Sequence, residues 1–112
     1  MSQATTLILL SQTPFGLGPN IIGEKQPAAS YYLGKSDLQT LTWNLTNVSA
    51  TIVIQASLSE NPNNNDWFNV YTLSPSSTTE LGFYNLSGNF VWLRVNITNF
   101  TNGVIQSVKV SY

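Results

Sequence analysis

Apolar and polar residues alternate along this chain with a period of two. Leu41, Trp43 and Leu45 alternate with Thr40, Thr42 and Asn44. Ile52, Ile54, Ala56 and Leu58 alternate with Val53, Gln55 and Ser57, and Val91, Leu93, Val95 and Ile97 with Phe90, Trp92, Arg94 and Asn96. A period of two puts each set on one face of an extended strand. No window sustains the three-and-four spacing of an amphipathic helix. Thr, Val, Ile, Tyr, Phe and Trp fill the runs, and Gly, Pro, Asn and Ser punctuate them.

The punctuation divides the chain into about eight strands, the number in a jelly roll. The first is Thr5 to Gln12. Residues 13–30 hold Pro14, Pro19, Pro27, Gly16, Gly18 and Gly23, which interrupt ladders and helices alike. This stretch reads as an irregular arm, followed by a short strand at Tyr31 to Leu33. Strands are expected at 38–45, 51–58, 67–73, 78–84, 90–97 and 105–112. Turns are expected at 46–50, 60–66, 74–77, 85–89 and 98–103. The fold class is therefore all-β: an antiparallel, jelly-roll-like β-sandwich with an irregular N-terminal arm. One globular unit of 112 residues is expected, with strand and arm over 1–36 and the sandwich over 37–112.

One phrase is written twice, as NLTNVSATIVIQ from Asn44 and as NITNFTNGVIQ from Asn96. Both copies fall where one run ends and the next begins, so each reads as the connection of a strand pair. Duplication and convergence on a favourable turn sequence both account for the likeness. Asn44, Asn47, Asn85, Asn96 and Asn99 also open Asn-x-Ser/Thr triplets. Asn and Thr are frequent here, and the N-terminus, MSQATTLILLSQTP, lacks the basic start and long apolar run of a secretory leader. Turn chemistry is the expected role of these asparagines, not glycosylation.

Composition narrows the function. The chain has no histidine and no cysteine, which removes the usual proton-transfer side chain and any thiolate metal site. Charged residues make up 8% of the chain, against about 25% in an ordinary domain. The surface is thus amide, hydroxyl and apolar, which suits a protein packed against neighbours and also a sugar binder. Four basic residues, scattered, make no phosphate-binding stripe, so nucleic acid is not an expected partner. No apolar run approaches the roughly 18 residues of a membrane helix. No nucleophile–base pair, phosphate loop or cofactor motif is present, so no enzyme and no cofactor are expected. The loop Glu60 to Asp66 offers oxygen ligands, but a polar turn is the plainer reading.

Two aromatic clusters remain. In NDWFNVY, strict alternation would place Trp67, Asn69 and Tyr71 on one face. In FVWLR, Phe90, Trp92 and Arg94 would face away from Val91 and Leu93. Trp, Tyr and Arg are the residues most enriched at interface hot spots. The competing reading is coverage of this face by the arm, with Arg94 paired to an acid of the same chain.

The runs TWNLTN, ATIVIQASL, DWFNVY and GNFVWLRV resemble small virion-associated domains of tailed bacteriophages. The matching residues are Trp43, Ile52, Ile54, Ser57, Leu58, Asp66, Trp67, Phe68 and Gly88 to Arg94, within residues 38–97. The resemblance implies a structural part of a virus particle, such as a capsid decoration protein or a neck, tail or fibre component. It implies a place in the virion after assembly in the host cytoplasm. The implied partners are copies of the chain itself and a major capsid or tail protein. On that view residues 1–36 reach onto a neighbour, and Phe15, Leu17, Ile21, Ile22, Tyr31 and Tyr32, with Phe90, Trp92 and Arg94, form the interface. Deleting the arm would then leave a folded sandwich. The alternative is a carbohydrate-binding module, with Asn63, Asn64, Asn65, Trp67 and Tyr71 holding a glycan.

Overall fold

The computed structural model describes residues 6–16, 20–28 and 38–112. Among them there is no helix. Eight strands form one antiparallel sheet: β1 (Thr6–Leu10), β2 (Thr13–Pro14), β3 (Ile21–Ile22), β4 (Gln26–Pro27), β5 (Leu38–Ser57), β6 (Phe68–Leu73), β7 (Thr78–Ser87) and β8 (Trp92–Ser111). β5 and β8 are each 20 residues long and pair along their whole length, from Thr40 opposite Ser111 to Ser57 opposite Trp92.

The sequence reads as turns at 46–50 and 98–103, but both strands run through those positions. The two neighbours bend together there, and the register shifts around Thr46 and Ser49. The repeated phrase is therefore one corner written twice. Asn47 and Asn99, equivalent in the two copies, both adopt left-handed backbone, at φ 52° and 54°. Asn tolerates that region better than other non-glycine residues. The residue after each asparagine, Val48 or Phe100, turns into the core. The Asn102 amide donates to the Asn47 carbonyl at 3.1 Å, tying the corners together. Gly103 sits at φ 88°, and a Cβ there would lie 2.2 Å from the Asn47 oxygen. Only glycine fits at both counts.

Beyond the corners the partners change. The first half of β5 pairs with β7, the second half with β6. The last half of β8 pairs with β1 and β2, its first half with β3 and β4. Taking β1–β2 and β3–β4 as one pass each and dividing β5 and β8 at their corners gives eight passes. The first sheet then has the order 1-8-3-6 and the second 2-7-4-5, which is the jelly-roll order of two Greek keys. Contacts cross between the halves on both sides. Trp43 of the first sheet stacks on Tyr71 of the second, with centroids 5.7 Å apart, and Tyr71 stacks on Tyr84 at 4.2 Å. On the other side the Tyr112 hydroxyl donates to the Pro27 carbonyl at 2.8 Å.

Most inward residues are those the alternation selects: Leu41, Leu45, Ile52, Ile54, Leu93, Val95, Ile97, Val108 and Val110 are all buried in one core. Leu58, expected on the face of Ile52 and Ile54, lies just past the end of β5 and is exposed. Ile105 is buried against the alternation of Val108 and Val110, because the register shifts at Gln106. The N-terminal segment is irregular after β1, in strands of two residues, but it does not stand apart. Leu9, Leu10 and Ala28 belong to the core, and Ile21 packs against it. Gly23 and Ala28 donate backbone bonds to Val95 and Val91. An arm free to leave for a neighbour is thus replaced by an edge of both sheets. The physical reason is that β8 presents a full row of N–H and C=O groups that the segment satisfies. The strand expected at Tyr31 to Leu33 lies outside the described residues.

Candidate functional site: a cation-lined cleft on the outer face

The outer face of the second sheet carries a row of polar side chains in register. Gln55 of β5 lies between Arg94 of β8 and Asn69 of β6. The Arg94 Nε donates to Gln55 Oε1 at 2.8 Å, and Gln55 Nε2 donates to Asn69 Oδ1 at 3.0 Å. The Arg94 guanidinium carbon lies 4.3 Å from the centroid of the Trp67 ring. Partial burial lowers the Arg94 pKa through desolvation, and the group stays charged at neutral pH. Beside it the Lys25 ammonium sits 5.0 Å from the Trp92 ring, whose Nε1 donates to the Glu60 carbonyl at 3.1 Å. Two cations are thus each held against an indole face.

These residues border an open cleft of about 480 Å³, lined by Gly23, Glu24, Lys25, Pro62, Asn64, Trp67 and Arg94. One wall is the loop between β5 and β6. Its shape is set locally: Asp66 Oδ2 accepts from the Asn63 backbone N–H, Asn63 Oδ1 accepts from the Asn65 backbone N–H, and the Asp66 N–H donates to the Asn63 carbonyl. Asn63 and Asp66 thereby make a self-capped turn. Among the described residues no group of three or more acidic side chains is gathered to hold a metal ion.

Several expected site residues fall elsewhere. Tyr71 does not join Trp67. Ile54 pairs with Tyr71 and Gln55 with Asn69, so Val70 is a bulge. One extra residue inverts the alternation, and Tyr71 turns inward between Trp43 and Tyr84. Phe90 precedes β8 and packs against the core, tilted on Phe68 at 5.9 Å, instead of sharing a face with Trp92 and Arg94. The ion pair expected as the competing role of Arg94 is absent among the described residues, and its partners are an amide and an indole. Of the arm residues, Phe15 and Ile22 are exposed, whereas Ile21 packs on the core. Leu17, Tyr31 and Tyr32 lie outside the described residues. Asn63 and Asn65 shape the loop, and Asn64 and Trp67 line the cleft.

A second surface has no counterpart in the sequence-predicted site. β7 forms the edge of the first sheet, and Leu81 and Phe83 on its outer face are 78% and 68% exposed. Leu81 lies opposite Asn44 and Phe83 opposite Thr42. The alternation of Leu81 and Phe83 about Gly82 was the available signal, but it fits an inward face equally well. Gly82 is the inward one, because the Trp43 indole lies over it and leaves no room for a Cβ.

No family model, no curated protein and no solved structure matches the chain.

Proposed function

We propose that this protein is a non-enzymatic structural component that works by assembly, with copies of itself and with other proteins of a particle. The observation that carries this reading is the β7 edge. It is ten residues long, and among the described residues it pairs only on the β5 side, with Leu81 and Phe83 beside the open edge. An edge of that length with apolar side chains is a template for strand addition unless another chain covers it. The sparse charge supports the same reading, because little on this surface repels a neighbour. The resemblance of residues 38–97 to virion-associated domains of tailed bacteriophages makes a virus particle the proposed setting. Capsid decoration or a neck, tail or fibre accessory is the proposed role.

Light scattering after size exclusion tests it. The full chain is expected to run as an oligomer, and Leu81→Ser/Phe83→Ser is expected to shift it to monomer. A wild-type monomer that stays monomeric at high concentration would count against self-assembly through β7.

The cleft favours a second reading, a carbohydrate-binding module. Open jelly-roll surfaces offering indole and amide side chains match the alternating apolar and hydroxyl faces of a sugar. The two readings coexist in a virion part that attaches to a host surface.

A further inference from the structure

We infer that the cleft between Arg94 and Lys25 binds an acidic saccharide, whose oxyanion is taken by the free end of the Arg94 guanidinium with Lys25 as second cation. The inference rests on the carbohydrate-binding reading and adds the ligand's charge.

Arg94 is held in place by its neighbours on the sheet. Its Nε is spent on Gln55, which is itself fixed by Asn69, and its plane is backed by Trp67. Neither terminal Nη group has a protein partner among the described residues. No buried side-chain nitrogen or oxygen among them lacks a partner, so both Nη groups meet solvent at the cleft. A guanidinium whose two end donors are open and whose orientation is fixed matches the two oxygens of a carboxylate or sulfate. Its rotamer entropy is already spent, which lowers the cost of binding.

Charge at the cleft agrees. Among the lining residues Arg94 and Lys25 are positive and Glu24 is negative. Partial dehydration of Arg94 strengthens its interaction with an incoming anion. The remaining lining separates a saccharide from a bare ion. The Asn64 amide has no hydrogen-bond partner among the described residues and offers a donor and an acceptor to a hydroxyl. The volume of about 480 Å³ lies within the range of small-ligand sites. Of the lining residues only Pro62 and Trp67 are large and apolar, and Arg94 already covers the Trp67 ring, which leaves little of the dry apolar centre that a protein partner's hot spot needs.

Titration of the full chain, followed by tryptophan fluorescence and calorimetry, tests the inference. The probes are oligogalacturonate (carboxylate), heparin-derived oligosaccharide (sulfate), neutral cello-oligosaccharide and inorganic phosphate. At least one acidic oligosaccharide is expected to bind. Affinity is expected to fall about tenfold or more in Arg94→Gln, in keeping with loss of a charge-assisted pair. Lys25→Gln should weaken binding less, and Lys109→Gln, on the other sheet's outer face, should leave it unchanged. Glu24 makes no hydrogen bond to another described side chain, so Glu24→Gln is expected to tighten binding, which keeps the test informative should Arg94→Gln fold poorly. Equal loss in Lys109→Gln would show general charge attraction and overturn the site. Neutral oligosaccharide binding that Arg94→Gln leaves intact would overturn the acidic class and keep the carbohydrate reading. No saccharide binding at all would overturn both, and phosphate binding alone would overturn the saccharide.

Discussion

The two outer faces of this molecule are built on the same two strands and differ in kind. On the first sheet, β5 and β8 show Thr40, Thr42, Asn44, Ser107 and Lys109, short or single groups, and the apolar exposure is pushed to β7 at the rim. On the second sheet the same strands show Val53, Gln55, Arg94 and Asn96, and the long side chains interlock through Trp67 and Asn69. One face leaves backbone and apolar groups open at an edge. The other holds its charged group fixed in the middle. An open edge suits strand addition by another chain, and a fixed charge suits a small, directional ligand.

The largest effect should erase both faces at once. Deleting residues 1–30 removes Leu9, Leu10 and Ala28 from the shared core and strips the covering strands from β8. Each buried leucine is worth about 2–5 kcal/mol, against a total stability of roughly 5–15 kcal/mol. Loss of the β signal by circular dichroism is expected, and a stably folded fragment would contradict this account of the arm. Next in size is Gly103→Ala. The left-handed conformation alone costs about 1–3 kcal/mol without glycine, and the approach to the Asn47 carbonyl adds to it. Denaturant unfolding should show a lower midpoint with unchanged slope, because the strain lies in the folded corner. Arg94→Gln comes third. It forfeits a partly buried cation–π contact, worth about 0.5–2 kcal/mol, so the melting point should drop by a few degrees. Leu81→Ser/Phe83→Ser is the smallest for the monomer, within about 0.5 kcal/mol of wild type. If the order of the last two reversed, β7 would be part of the fold and not a free edge, and the contrast between the faces would fail.

Much of the core was legible in the residues. Leu41, Trp43, Leu45, Ile52, Ile54, Leu93, Val95, Ile97, Val108 and Val110 face inward as their alternation predicts. The corners were not legible, and the reason is geometric. Thr46-Asn47, Thr98-Asn99 and Asn102-Gly103 supply left-handed backbone, which serves a chain reversal and a bend in a continuing strand alike. Which of the two forms depends on whether a neighbouring strand bends at the same level, and that neighbour lies some fifty residues away. Tyr71 faces inward, against strict alternation with Trp67, because one bulged residue, Val70, inverts everything after it. At the cleft, Trp67, Trp92 and Arg94 stood out by residue type. Lys25 and Gln55 did not, because their roles come from register alone: Gln55 lies opposite Arg94, and Lys25 adjoins the Gln26 and Pro27 bridges to Leu93 and Trp92.

The two long bent strands have a consequence for how the molecule comes together. Each belongs to both sheets, so neither sheet is a separate cooperative unit, and amide exchange should report one opening for the two. The first strand pairs with the last, Thr6 opposite Ser111, so the ladder is complete only once nearly the whole chain is present. Closing loops of that span before any reward is slow. During synthesis β5 can pair with β6 and β7 as they emerge, but its apolar face is fully covered only once β8 arrives. The amides and hydroxyls that crowd its other face keep that interval from ending in the wrong pairing.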